Sequence, residues 1–366
     1  MIRILQVVTH MNRGGLETMI MNYYRNIDRN VVQFDFLVHR EYEADYDQEI
    51  VLMGGKIYRI SALNPFSISY RKKLNRFFKE HPEYQIIHVH QDCLSSIILK
   101  AASKNGVRVR IAHSHSISQD KNLKYIIKMY YRQFIPKYAT DLMACGKQAG
   151  EWMFSGANFQ IVSNAINSTD YIYNQGIREK IRKKLNLKQD DLIIGHVGRF
   201  SPPKNHQFLV EVFYALCEKM NAKLLLVGDG DLKEFTVEQI ERLNLNDKVI
   251  FTGVRTDVNE LLQAMDVFVF PSIYEGLPVT MVEAQAAGLP CVISTNIPQE
   301  SVLIPELVQR LNLTDAKEEW VNAILKLTTL KRKNTSESIK ESGFDIKEAA
   351  KQLENFYIEK SIELSS

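Results

Sequence analysis

The segment Phe268-Val269-Phe270-Pro271-Ser272-Ile273-Tyr274-Glu275-Gly276-Leu277-Pro278-Val279-Thr280-Met281-Val282-Glu283-Ala284 opens as an aromatic and β-branched strand and closes as a helix. Pro271 stops the strand, and Pro278 occupies a first-turn position that a helix tolerates. A buried strand passing through a short loop into a helix is one unit of a parallel sheet. Glu275 then sits at the strand's carboxyl end, where open α/β sheets bind ligands. Glu283 lies about a turn and a half into the helix and can point back into the same crevice. The backbone amides of Gly276, Leu277 and Val279 mark a helix start, a ready anion site. Two acceptor-only carboxylates flanking an anion site suit a ligand with hydroxyls on both sides of a phosphate, such as a nucleotide-sugar. The plainer alternative is a solvated loop acid and a first-turn carboxylate favoured by the helix dipole.

The same strand-then-helix alternation runs outward through the chain. Strands are expected at 2–9, 33–39, 56–60, 85–90, 107–114, 141–144 and 159–162, then at 192–197, 222–227, 248–251, 267–270 and 290–294. Amphipathic helical stretches separate them, the pattern of parallel sheets covered on both faces. Two such series predict an α/β protein of two doubly wound, Rossmann-like domains, 1–170 and 171–345, with the break near Asn167–Gly176. A last helix within 346–366, apolar at Ala349, Leu353, Phe356 and Ile362, has no strand after it and is expected to cross back onto the first domain. The polar stretch 331–336 reads as an exposed turn.

The 366 residues carry 46 Lys and Arg against 43 Asp and Glu, a net charge of +3, and 45% are apolar. That composition excludes a disordered chain and a collagen-like repeat, and it argues against a nucleic-acid partner. The four cysteines (93, 145, 217 and 291) are far apart and form no CxxC pair. No apolar run reaches the roughly 20 residues of a membrane span, and Ile2–Val8 is too strand-like for a signal peptide. A cytoplasmic protein is expected, attached to a membrane surface at most.

A second constellation, Gly195-His196-Val197-Gly198-Arg199-Phe200-Ser201-Pro202-Pro203-Lys204, also follows a strand. Gly198 allows a tight turn, and Arg199 and Lys204 can together neutralise a diphosphate. Gly228-Asp229-Gly230 and Gly253-Val254 are turns at further strand ends, where the Val254 backbone could meet a base. Gly14 and Gly15 join the first strand to the first helix and either admit a ligand to the backbone or form a flexible turn. His88, His90, His113 and His115 end two strands. His113 and His115 point to one side and Ser114 to the other. With no Cys or carboxylate at usable spacing, a metal site is not expected. His90, His113 and His115 read as a polar wall for an acceptor, with structural imidazoles as the alternative for His88 and His90. Around residues 121–137, Lys124, Lys128 and Arg132 recur at helical spacing among aromatic residues. This fits either contact with an anionic membrane or an ordinary solvated basic face.

Taken in order, these motifs resemble the family 4 glycosyltransferases, retaining nucleotide-sugar enzymes of the GT-B fold whose two domains face a central cleft. The resemblance covers nearly the whole chain and is similar in look to bacterial capsule and exopolysaccharide transferases. It rests on Gly14-Gly15-Leu16-Glu17, on Gly198-Arg199 followed by Lys204, on Gly228-Asp229-Gly230 and Phe251-Thr252-Gly253, and above all on Glu275 and Glu283 with seven residues between them. It implies that Arg199 and Lys204 bind the donor diphosphate and that Glu275 and the Gly276-Leu277-Pro278-Val279 backbone hold the transferred sugar. It further implies that Glu283 holds the ribose, that Gly14 or Gly15 approaches the distal phosphate, and that His115 stands near the reacting carbon, with His113 second. One departure from the family pattern is Asn164-Ala165-Ile166-Asn167 in the hinge region. The implied reaction moves a sugar, from a UDP-sugar by preference, to a saccharide or lipid-linked saccharide acceptor in surface polysaccharide synthesis, by front-side attack without metal or cofactor. A sugar-nucleotide epimerase of the same layout and a non-catalytic sugar-nucleotide sensor are the rival readings.

Overall fold

The computed structural model describes residues 1–117 and 123–365. Lys121, at the start of the basic stretch, lies outside them. The chain divides into two compact units, Met1–Ala165 with Ile346–Ser366, and Ile166–Asp345, so the break falls a few residues before position 170.

The first unit is built on a seven-stranded parallel sheet of β1 (Ile2–Val8), β2 (Val32–Val38), β3 (Ile57–Arg59), β4 (Ile86–Val89), β5 (Val109–Ser114), β6 (Asp141–Ala144) and β7 (Gln160–Ile161), in the order β3-β2-β1-β4-β5-β6-β7. The strand order reverses between β1 and β4. β2 is buried along its whole length, although Gln33 and Asp35 interrupt its apolar run. Its one acid, Asp35, is buried but satisfied by the Arg3 guanidinium and by the Tyr84 hydroxyl at 2.7 Å. The helices Gly15–Asn26 and Ile346–Ser365 share one core with this sheet, in which Ala349, Ala350, Leu353 and Tyr357 of the last helix pack with Tyr24, Phe34 and Phe36. Burying such side chains contributes about 1.5–3 kcal/mol each. Glu354 fixes the helix further by accepting from the Asp28 N–H at 2.7 Å. Ile362, read as part of the apolar face, is 64% exposed, and Tyr357 is fully buried instead.

The second unit has a six-stranded parallel sheet of β8 (Leu192–Val197), β9 (Ala222–Val227), β10 (Val249–Phe251), β11 (Val267–Phe270), β12 (Cys291–Ser294) and β13 (Val308–Leu311), in the order β10-β9-β8-β11-β12-β13. Here the reversal lies between β8 and β11. β13 escapes sequence reading because Gln309 and Arg310 break its apolar pattern at the sheet edge. The stretch 331–336 is no simple exposed turn. The Arg332 guanidinium donates to the carbonyls of Leu262 at 2.7 Å, Ala287 at 3.0 Å and Met265, and its burial pushes its pKa down to about 10. Thr335 is buried and donates to the Gln285 carbonyl at 2.8 Å. The basic stretch forms the helix Leu123–Arg132, and Pro136 lies in a separate turn, Ile135–Tyr138.

Candidate active site

In the second unit the loops after β8, β9, β10 and β11 all leave the carboxyl edge of one sheet. Backbone bonds stitch three of them together. Gly198 N–H donates to Val227 O at 2.9 Å, Gly228 N–H to Gly253 O at 2.9 Å, and Phe200 N–H to Asp229 O at 3.0 Å. Gly228 has φ +137°, and a Cβ there would stand 2.1 Å from the Gly198 carbonyl oxygen, so only glycine fits. At Gly198 the constraint is packing: a Cβ would meet His196 Nε2 at 3.0 Å and Lys204 Cδ at 3.3 Å.

The β8 and β11 loops are tied across the point where strand order reverses. Ile273 N–H donates to Pro203 O at 2.7 Å, and Asn205 Nδ2 donates to Pro271 O at 3.2 Å. These ties set Lys204 Nζ 2.7 Å from Glu275 Oε1 and 4.7 Å above the Phe270 ring. Arg199, five positions before Lys204, is exposed and forms no ion pair among the described residues. The two cations of this loop are therefore unlike: one is positioned and neutralised, the other open to solvent.

Glu283 stands in the helix Val279–Ala286, which starts beyond Pro278, with Gly276, Leu277, Pro278 and Val279 buried before it. Its carboxylate is buried and accepts from the Tyr171 hydroxyl at 2.8 Å. Burial raises its pKa above the usual carboxylate range, and the Tyr171 bond partly offsets this. Glu283 is not hydrogen bonded to the Lys204–Glu275 pair. Val254, after β10, is 51% exposed. Asp229-Gly230-Asp231, just after β9, is closed on itself: Asp229 Oδ1 accepts from Gly230 N–H at 2.8 Å and its Oδ2 lies 3.7 Å from Lys233 Nζ.

In the first unit Gly14 precedes the helix Gly15–Asn26 in extended conformation, and a Cβ on Gly15 would meet nothing within 4 Å. Gly15 is therefore not glycine to satisfy this fold. The strand-end histidines form two bonded pairs. His88 Nε2 lies 3.0 Å from His113 Nδ1, and His90 Nδ1 lies 2.8 Å from His115 Nε2. His88 Nδ1 meets the Tyr357 hydroxyl at 2.7 Å, and His90 Nε2 meets Gln6 Oε1 at 2.9 Å. His113 and His115 stack at 4.1 Å on one side of β5, while Ser114 turns away to donate to Ala149 O at 2.8 Å. Desolvation depresses all four pKa values, that of His115 to about 3, so the rings are neutral at pH 7. His90 and His113 are buried, and of the four only His115 is half-exposed. His88, His90 and His113 offer nitrogens within 4.8 Å of one another. Their rings lie within 14–37° of parallel, however, so their in-plane lone pairs do not converge as a chelate requires.

Residues 13–168 match the family model described as Glycosyltransferase Family 4, and residues 177–345 match that of Glycosyl transferases group 1. EpsF of Bacillus subtilis, a protein named as a glycosyltransferase, is 35% identical over 370 residues, spanning 97% of this chain and 96% of that one. The chain belongs to the family 4 glycosyltransferases. Within that family it is also similar to CapH of Staphylococcus aureus, a capsular polysaccharide biosynthesis glycosyltransferase, at 25% identity over 99% of this chain and 100% of that one. Among solved structures, HepE of Anabaena in complex with UDP and glucose matches 100% of both chains with a TM-score of 0.79 at 18% identity, which shows the GT-B fold.

For this family 4 enzyme, then, the structure pairs Lys204 with Glu275 and leaves Arg199 open. It seats Glu283 on the following helix and collects His88, His90 and His113 behind the more accessible ring of His115. Sequence reading missed Tyr171, Gln6 and Tyr357. Each is a lone polar residue in an apolar or irregular stretch, and only its partner, more than 100 or even 350 positions away, gives it meaning. Among the described residues no helix is long and apolar enough to cross a membrane.

Proposed function

We propose that this glycosyltransferase retains anomeric configuration. In this reading it moves a sugar from a nucleoside diphosphate sugar, a UDP-sugar by preference, to a saccharide or lipid-linked saccharide acceptor in bacterial surface polysaccharide synthesis. The observation that carries the reading is the Lys204–Glu275 pair astride the β8/β11 reversal, the position where open α/β sheets take ligands. The name of CapH supports the polysaccharide setting, and the UDP and glucose in HepE support the donor class.

In this reading Lys204 and the open guanidinium of Arg199 take the diphosphate. Glu275, once its ammonium partner engages phosphate, accepts from hydroxyls of the sugar. Glu283 exchanges the Tyr171 hydroxyl for those of the ribose, a like-for-like replacement that leaves no buried acceptor unpaired. The Gly276–Val279 backbone and the Gly228 and Val254 turns hold the rest of the donor, with Gly14 or Gly15 approaching the distal phosphate. The acceptor hydroxyl attacks from the leaving-group side, and a phosphate oxygen takes its proton as the glycosidic bond to phosphate breaks. The protein supplies orientation and stabilises the departing negative charge with Lys204, Arg199 and amide dipoles, a role that calls for no metal or cofactor. His115, neutral, is the histidine that the family resemblance proposes near the reacting carbon.

Transfer of radiolabelled sugar from a panel of UDP-sugars to a lipid-linked saccharide tests the reading, with the product's anomeric configuration read by NMR. Retention is expected. Sugar interconversion from donor alone would favour the epimerase, and binding without turnover would favour a sensor.

We further place the enzyme on the inner face of the cell membrane. On the helix Leu123–Arg132, Ile126 and Tyr130 are exposed, as are Phe66 and Ile68 of a loop tied to it where Tyr131 donates to Pro65 O at 3.4 Å. Lys124 and Lys128 accompany them, a composition suited to an anionic lipid surface. Arg132 does not join them: it donates to Trp152 O and lies 5.2 Å over the Trp152 ring.

A further inference from the structure

We propose that Gln6 is a positioning residue that decides, through His90, which ring nitrogen of His115 carries the proton. The inference rests on the assignment of His115 to the reacting centre made above.

The sheet supplies the alignment. Gln6 lies in β1, His90 just past β4 and His115 just past β5, three neighbouring strands in register. Gln6 Oε1 stands 2.9 Å from His90 Nε2. A carbonyl oxygen only accepts, so His90 carries its proton on Nε2. A neutral imidazole has one N–H, which leaves His90 Nδ1 as a lone pair. His115 Nε2, 2.8 Å away, must then be the donor. The proton of His115 is thereby committed to Nε2, and its Nδ1 is an acceptor. The derivation requires both rings to be neutral, and burial ensures it by holding both pKa values far below 6.5.

The other end of the amide is also engaged. Gln6 Nε2 donates to the Tyr357 hydroxyl at 3.4 Å, Tyr357 donates to His88 Nδ1 at 2.7 Å, and His88 Nε2–H donates to His113 Nδ1 at 3.0 Å. One amide thus orders the protons of four imidazoles. Reversing it would reverse both branches and put the His115 proton on Nδ1.

The consequence is chemical. Breaking the sugar–phosphate bond leaves positive charge on the sugar carbon. If His115 acts there, an unprotonated Nδ1 leaves its neutral ring able to accept from a hydroxyl without adding a cation, whereas an Nδ1–H could only donate.

Long-range ¹H–¹⁵N correlation spectra of the full chain labelled at histidine read the tautomers directly at pH 7.5. His115 is expected to be protonated at Nε2 with an unprotonated Nδ1. Gln6→Glu, which keeps an acceptor toward His90, should preserve that pattern. Gln6→Leu should give a mixture and lower kcat by about 3–10-fold with KM for the donor unchanged, the worth of one neutral hydrogen bond. An Nδ1-protonated His115 in the unmodified protein overturns the proposal without recourse to any variant, as does an unaltered tautomer in Gln6→Leu. Normal transfer by His115→Ala would instead overturn the assignment of His115 on which the kinetic expectation rests, whatever the spectrum shows.

Discussion

Lys204 and Glu275 meet at 2.7 Å from the loops that follow β8 and β11, the two parallel strands between which the strand order reverses. The pair is half-buried, so each group holds the other in place at a modest electrostatic cost. In the proposed function a diphosphate arriving at Lys204 would take over the ammonium and free the carboxylate for a sugar hydroxyl. The ion pair is thus a stored arrangement of two groups that the proposed donor would use separately.

Lys204→Ala and Glu275→Gln should each lower kcat/KM by about 10–150-fold, the cost of one charge-assisted hydrogen bond. Because the two touch, the double variant should lose less than the product of the single losses. Initial rates at limiting donor decide this, and strictly multiplicative losses would mean that the pair does not act as a unit.

The glycines separate fold from function. Gly228→Ala forces a Cβ to within 2.1 Å of the Gly198 carbonyl at φ +137° and should cost on the order of 1–3 kcal/mol, read from the urea midpoint. Gly15→Ala meets no neighbour and should leave that midpoint unchanged or slightly raised, while kcat/KM falls. Unchanged transfer in Gly15→Ala would remove the case for ligand approach at this turn.

Both sheets were legible because a fully buried parallel strand such as β11 has a continuous apolar run, and the loops carrying Lys204 and Glu275 follow directly from buried strands. β13 was not, since an edge strand half-open to solvent needs no such pattern. Arg332 reads as a solvated cation in the sequence because nothing local reveals the carbonyls of Leu262 and Ala287 that it caps. The site was legible where one loop holds the chemistry and opaque where it depends on distant partners, as with Tyr171 behind Glu283 or Tyr357 behind His88.

Buried neutral histidines set the acid limit. His88 and His115 titrate at about 3, His196 at about 4 and His206 at about 2 in the folded chain, against 6.5 when solvated. Groups depressed on folding contribute stability that is complete above pH 6.5 and is lost as pH falls toward the folded values. The thermal midpoint should therefore decline steadily below pH 6.5. His206, stacked at 4.1 Å on Phe200 with neither nitrogen bonded, offers the control. His206→Phe should raise stability by about 1–3 kcal/mol, the cost of its unpaired buried nitrogens, and the gain should be larger at pH 5 than at pH 8. An equal gain at both values would show that His206 does not contribute to the acid loss.

Membrane contact predicts a separable defect. Phe66→Glu combined with Ile126→Glu should abolish sedimentation with vesicles containing about a third anionic lipid, through lost burial and added repulsion. Transfer to a water-soluble acceptor should be retained. Retained sedimentation would contradict the assigned face.

In the proposed function Glu283 holds the ribose of a single bound nucleotide-sugar, and calorimetric titration of the full chain with its UDP-sugar, before and after Glu283→Gln, reads that contact. The amide can still accept from Tyr171, so the fold is expected to survive the change. A Kd weakened by about 10–150-fold at unaltered stoichiometry is the predicted result. A Kd identical to that of the unmodified protein would contradict the account.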